Sequence, residues 1–178
     1  VTGSWLRSLL PAWLALTLLA GCAAMPKQLS APDVGIGPFP AFDGRLIVIE
    51  PQRRWQVLIR WDAAQPEHGR LRISHAATGT VVELRWQGSA MQLRDNRAPG
   101  WRSIGIELLA EQGIVIPPQT LAMILLGHMP REFRATGVGR WESRAGGRLI
   151  RLRWQPDGHR LTMTDIRHGR RATLLIRP

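Results

Sequence analysis

Residues 54–61 read Arg-Trp-Gln-Val-Leu-Ile-Arg-Trp. In an extended chain Trp55, Val57, Ile59 and Trp61 fall on one side, and Arg54, Gln56 and Arg60 on the other; Leu58 alone breaks the alternation. Side chains of a strand point to opposite faces with period two, so this stretch predicts a strand with one face buried and one wet. One-sided burial is the habit of antiparallel sheets. The same pattern recurs outward from it. Gly44–Glu50 precedes it, closed by Pro51. After a turn at Gln65–Gly69, Arg70–Ser74 sets Leu71 and Ile73 against Arg70 and Arg72. Thr78-Gly79 then turns the chain into Thr80–Trp86, where Val82, Leu84 and Trp86 oppose Glu83 and Arg85, and Gly88 turns it into Met91–Arg94. Further on, Arg148–Trp154 sets Ile150, Leu152 and Trp154 against Arg151 and Arg153. Turns at Pro156–Gly158 and His168-Gly169 separate it from Arg160–Asp165 and Arg171–Arg177.

Between the two groups of strands the period changes. Ser103–Gln112 predicts a helix with Ser103 as N-cap and Gly113 as stop, although Gly105 is a poor helix former. After Ile114–Ile116, Pro117-Pro118 opens a second helix, Gln119–Leu126, which Gly127 closes. Leu121, Ile124 and Leu125 form its apolar stripe. Strands, two short helices and strands again predict a mainly β fold with short helices: a curved antiparallel sheet whose concave face the two helices cover. Register fixes the faces. Slipping a strand by one residue would bury Arg60, Arg72, Arg85, Arg151 and Arg153, so the arginines are expected in water and the tryptophans beneath the helices.

The first twenty-one residues read as an export signal. Arg7 is the only charge before the apolar run Leu9–Ala20, which is short for a membrane span. The run ends in Leu19-Ala20-Gly21-Cys22, and Cys22 is the only cysteine. A plain secretory signal with an incidental cysteine is the other reading of this segment. Residues 22–41, with Pro26, Pro32, Pro38, Pro40, Gly35 and Gly37, read as a tether. The domain is expected over residues 42–178.

Charge and motifs exclude more than they assign. With Arg7 set aside, the 24 Lys and Arg become 23 against 13 Asp and Glu, a net charge of +10. A basic balance raises nucleic acid as a partner. The arginines are spread along strands instead of clustered, and an exported, tethered chain meets little nucleic acid, so no nucleic-acid partner is expected. An arginine-studded face would favour anionic headgroups. The five histidines fall mostly in turns without metal-ligand spacing, there is no second cysteine, and no G-x-S-x-G elbow occurs. Glu107 and Glu111, one helical turn apart, read as a solvated edge. The expectation is no enzyme, no metal and no cofactor. What remains is abundant apolar and indole surface on one sheet face, either an ordinary packed core or an apolar pocket.

Two segments resemble known families. Leu19–Cys22 is similar to the lipobox of bacterial lipoproteins, which implies that Cys22 is lipidated. Ala23 in place of an aspartate after it implies the outer membrane. Gly113–Pro130 (GIVIPPQTLAMILLGHMP) resembles the signature region of the LolB family in Gly113, Ile116-Pro117, Leu121, Leu126-Gly127 and Pro130. Phe42–Leu46, the hairpin of Leu71–Ser74 and Thr78–Leu84, and Leu161–Ile176 are similar to other parts of that family. The resemblance implies a half-barrel whose apolar cavity receives acyl chains. It implies an outer-membrane lipoprotein, anchored with its domain in the periplasm, that accepts acylated lipoproteins from a LolA-like carrier and delivers them to the membrane without covalent chemistry. The expected cavity residues are Trp55, Val57, Ile59, Trp61, Leu71, Ile73, Val82, Leu84, Trp86, Leu121, Ile124, Leu125, Ile150, Leu152 and Trp154. The family's protruding hairpin, which helps deliver cargo, corresponds to a turn with Ala76 and Ala77 where the family carries a bulky apolar residue. A monomer is expected. The alternative is a lipid-anchored module on the same fold with a filled core, acting by protein contact in an envelope assembly.

Overall fold

The computed structural model describes residues 35–98, 100–111, 114–145 and 147–178; the segment read as an export signal, Cys22 and the part of the expected tether up to residue 34 lie outside them, as does Gly113. Five strands come first: β1 (Ala41–Glu50), β2 (Arg53–Gln65), β3 (His68–His75), β4 (Thr80–Gln87) and β5 (Ala90–Asp95). The short β6 (Arg102–Ile104) follows, then helices α1 (Ile106–Glu111) and α2 (Pro118–Leu125). The chain ends in β7 (Phe133–Gly137), β8 (Arg140–Ala145), β9 (Arg148–Gln155), β10 (Arg160–Asp165) and β11 (Arg170–Arg177), with a 3-10 turn at Pro156–Gly158.

Among the described residues the strands form one sheet in the order β6-β5-β4-β3-β2-β1-β11-β10-β9-β8-β7, antiparallel throughout. The first and last strands pair at its centre, from Asp43 opposite Arg177 to Ile49 opposite Arg171. Edges β6 and β7 are not paired, so the sheet is curved but unclosed. The link between these two edge strands carries both helices, whereas links within each half of the sheet are short hairpins.

Burial follows the alternation. Val57, Ile59 and Trp61 of β2, Leu84 and Trp86 of β4, and Leu152 and Trp154 of β9 are buried, with Trp55, Leu71, Ile73 and Ile150 packed against them, and Val82 is half-buried. Arg60, Arg72, Arg85, Arg151 and Arg153 are exposed. Several pair along the outer face, Arg60 with Asp43 at 2.9 Å and Arg151 with Glu142 at 3.0 Å. The Arg60 hydrogen bond holds the Asp43 carboxyl below its usual range, and that from Arg151 does the same for Glu142.

The sequence reading needs four corrections. Arg102–Ile104 is a strand on β5, pairing Leu93 with Arg102 and Met91 with Ile104. Ser103 therefore caps no helix; α1 starts only after Gly105. Strand β7 is not among the predicted elements. It buries Phe133 and exposes the rest, so it carries no alternation to read. In β8 the inward positions are Trp141 and Ser143, and the buried serine hides the apolar period. The folded body also begins before Phe42. Ile36 is 2% exposed, and the Phe39 ring lies 5.8 Å from Trp154. The backbone nitrogen of Phe39 donates to the Leu125 carbonyl at 2.7 Å. Gly37, at φ +95°, lies so close to that carbonyl that no Cβ would fit. Helix α2, by contrast, starts one residue before Gln119, with Pro118 in its first turn, and Gly127 closes it at φ +92°.

Candidate functional site

The inner face of the sheet is not filled along its whole length. A cavity of about 590 Å³ lies between it and the helical link, within the size range of ligand clefts, roughly 300–1,000 Å³. The sheet supplies Leu46 and Val48 of β1, Trp55, Ile59 and Trp61 of β2, Leu71 and Ile73 of β3, Val82 of β4 and Leu93 of β5. Met163, Ala172 and Leu174 come from β10 and β11. The helical link supplies Leu108, Leu109, Ile114, Val115, Ile116 and Leu121. Every one of these side chains is apolar or an indole, so this part of the cavity suits an apolar ligand and offers no nucleophile or general base.

Of the residues expected in a cavity, Trp55, Ile59, Trp61, Leu71, Ile73, Val82 and Leu121 line it. Val57, Leu84, Trp86, Ile124, Leu125, Ile150, Leu152 and Trp154 do not; they belong to the packed core on the same face. Trp86 tilts against Trp61 at 5.2 Å, and its indole nitrogen donates to the Pro66 carbonyl at 2.9 Å. Trp154 is taken up by Phe39 and His159. Sequence reasoning missed Leu46, Val48, Ala172 and Leu174 as lining residues. Their strands are predicted, but apolar neighbours such as Ile47 and Leu175 blur the alternation there. Nor does any local signal show that the Ile114–Ile116 link, with Val115 and Ile116 buried, forms a wall. Trp61 Nε1 is buried without a hydrogen-bond partner among the described residues, a desolvated donor in the cavity wall.

Polar groups enter the lining at one end of the sheet: Arg53, Arg54, His75, Asp95 and Arg102. Arg53 and Arg170, the latter at 3.6 Å, share the Glu50 carboxylate, and the Arg53 hydrogen bond holds that carboxyl below its usual range. Asp95 accepts from the backbone nitrogens of Ala98 and Arg97 at 2.8 and 2.9 Å, which lowers its pKa, and it pairs with Arg102 at 3.2 Å. At the same end His75 Nδ1 meets Thr78 Oγ1 at 3.1 Å, framing a turn with Ala76 and Ala77 exposed.

One buried charge ties the helical link to the sheet. Asp165, 0% exposed, accepts from Arg148 Nη2 at 2.9 Å, and His168 Nδ1 lies 2.8 Å from the same oxygen. Burial pushes the carboxyl up, but the hydrogen bonds of His168 and Arg148 outweigh it, and the pKa lies below the ordinary value. Arg148 Nη2 also donates to the Val115 carbonyl at 3.1 Å, fixing the wall between the helices.

Among the described residues no three potential ligands gather to hold a metal ion, and no helix is long and apolar enough to cross a membrane. Compared with known proteins, the chain matches no family model and no curated protein sequence.

Proposed function

We propose that this chain is a lipid-anchored envelope lipoprotein, a LolB-like half-barrel that shelters acyl chains of other lipoproteins. In this reading Cys22 carries the anchor in the outer membrane, and the domain faces the periplasm. Helices α1 and α2 cover the concave face of the sheet. A LolA-like carrier hands over acylated lipoproteins, whose acyl chains enter the cavity in turn, and the Ala76-Ala77 turn meets the membrane on delivery. The protein works as a monomer by binding alone, with no covalent step, no cofactor and no nucleic-acid partner.

The observation that carries the reading is the 590 Å³ apolar cavity walled by strand and helical-link residues. A module acting by protein contact would have no use for empty apolar space, because well-packed interiors hold few voids larger than a water molecule. Burying apolar surface is the dominant favourable term in association, so an acyl chain gains from entering such a space.

The test is displacement of an environment-sensitive apolar dye of the bis-ANS type by a synthetic lipopeptide bearing a diacylglyceryl cysteine. Saturable displacement by the lipopeptide, and none by the same peptide without acyl chains, is expected. A well-folded sample that binds no acylated ligand saturably would leave the filled-core, protein-contact module as the better reading.

A further inference from the structure

We propose that the cavity accepts a single-chain amphiphile with an anionic headgroup, its chain on the apolar inner wall and its headgroup at Arg53, Arg54 and Arg102. The inference rests on the acyl-cavity reading and adds the class of ligand.

Capacity comes first. A methylene fills about as much space as a water molecule does in the liquid, roughly 30 Å³. A cavity of about 590 Å³ therefore has room for at least one long acyl chain.

Placement of charge comes second. The polar lining groups come from chain ends that the register brings to the same end of the sheet. Glu50 stands opposite Arg53 in the first hairpin and His75 opposite Thr80 in the next, while Leu93 pairs with Arg102 beyond them. The apolar lining is continuous away from this end, so a chain inserted tail first leaves its head among the guanidinium groups.

Sign comes third. The lining holds three arginines and one acid, Asp95. Asp95 is already committed to two backbone nitrogens and Arg102. Arg53 is tied to Glu50, which Arg170 also approaches. Arg54 is exposed, lines the cavity and has no hydrogen bond or ion pair among the described residues. Cation outweighs anion at the mouth, with one guanidinium free to receive a planar carboxylate or a phosphate through paired N–H donors. A neutral headgroup leaves that donor set unused.

The experiment titrates the purified chain with parinaric acid and with its methyl ester, which share one hydrocarbon tail and differ in headgroup charge. The acid should bind about tenfold more tightly at low salt, since exposed charge contacts are individually modest and several act together. That preference should collapse near 1 M salt, where screening acts over about 3 Å. Arg54→Gln combined with Arg102→Gln should bring the acid-to-ester ratio close to one. Oleic acid and oleoyl lysophosphatidic acid as competitors then separate a carboxylate source from a phosphate source, and displacement by either one ahead of monoolein supports the assignment. Equal affinity for acid and ester in the unaltered protein, or a ratio indifferent to salt, overturns the headgroup inference and leaves the cavity reading intact. Absence of saturable binding by acid and ester alike overturns both.

Discussion

Leu121 and Leu125 stand one turn apart on α2, and replacing each by serine separates an open cavity from a packed core. Leu125 is 0% exposed, and its side chain is absent from the cavity wall. Truncating a fully buried leucine costs about 2.7–5 kcal/mol through lost burial and the void left behind. A buried hydroxyl without a partner adds about 1–3 kcal/mol. Leu125→Ser should therefore cost about 4–8 kcal/mol, comparable with the roughly 5–15 kcal/mol total of a typical domain. Leu121 is partly buried and already borders empty space. Its truncation enlarges a space that already exists instead of opening a new void in close-packed surroundings. The loss is about 1 kcal/mol, that of a partly buried side chain. Urea unfolding followed by tryptophan fluorescence reads stability, and titration with an apolar dye reads the cavity. Leu121→Ser should weaken dye binding while its urea midpoint stays near the unaltered one, and Leu125→Ser should lose most of its unfolding transition. Equal destabilisation by the two substitutions would refute the reasoning, because it would mean that Leu121 is packed as tightly as Leu125.

Three further outcomes are expected. Gly69→Ala places a methyl group against the Trp86 ring and 2.8 Å from Ala63 Cβ, so it should lower stability by about 1–3 kcal/mol in the same urea assay. Asp165→Asn should cost about 2 kcal/mol at neutral pH, less than the roughly 3–5 kcal/mol of a fully enclosed pair because Arg148 and His168 reach solvent. The sign of its pH dependence follows from a carboxyl whose folded pKa lies below its unfolded value near 3.8. The contribution is complete above that value and disappears as pH falls through the lower folded pKa, so the unaltered protein and the Asp165→Asn variant should converge in stability in strong acid. Cys22→Ser should abolish incorporation of labelled palmitate, and failure of the unaltered protein to take up label would remove the lipid anchor from the proposal.

What the sequence disclosed was governed by side-chain period. Strands β2, β4 and β9 alternate indole or aliphatic residues with mostly polar ones, several of them arginine, and burial follows that alternation along β2 and over the second half of β4 and β9. Where period was lacking, the reading failed. Strand β7 buries only Phe133, and β8 fills an inward position with Ser143. Residues 103–112 carry enough leucine and glutamate to look helical, yet the unpaired edge of β5 captures Arg102–Ile104 and leaves the helix six residues. Local propensity is the weaker term when a sheet edge offers hydrogen bonds.

The cavity illustrates a different limit. Ile59 and Leu84 have the same signature in the sequence, an apolar residue in phase with a tryptophan two positions on, and both are buried. Only Ile59 borders open space. The distinction is set by where the helical link lies, and that is decided by long-range contacts: Arg148 reaching the Val115 carbonyl, Phe39 bonded to the Leu125 carbonyl, and Gln119 donating to the Gly88 carbonyl at 2.9 Å. Each joins residues far apart in the chain. None leaves a trace in local periodicity. A pattern of alternation therefore identifies which face of the sheet is apolar, while the few polar ties of the helical link determine how much of that face is packed and how much remains open to a ligand.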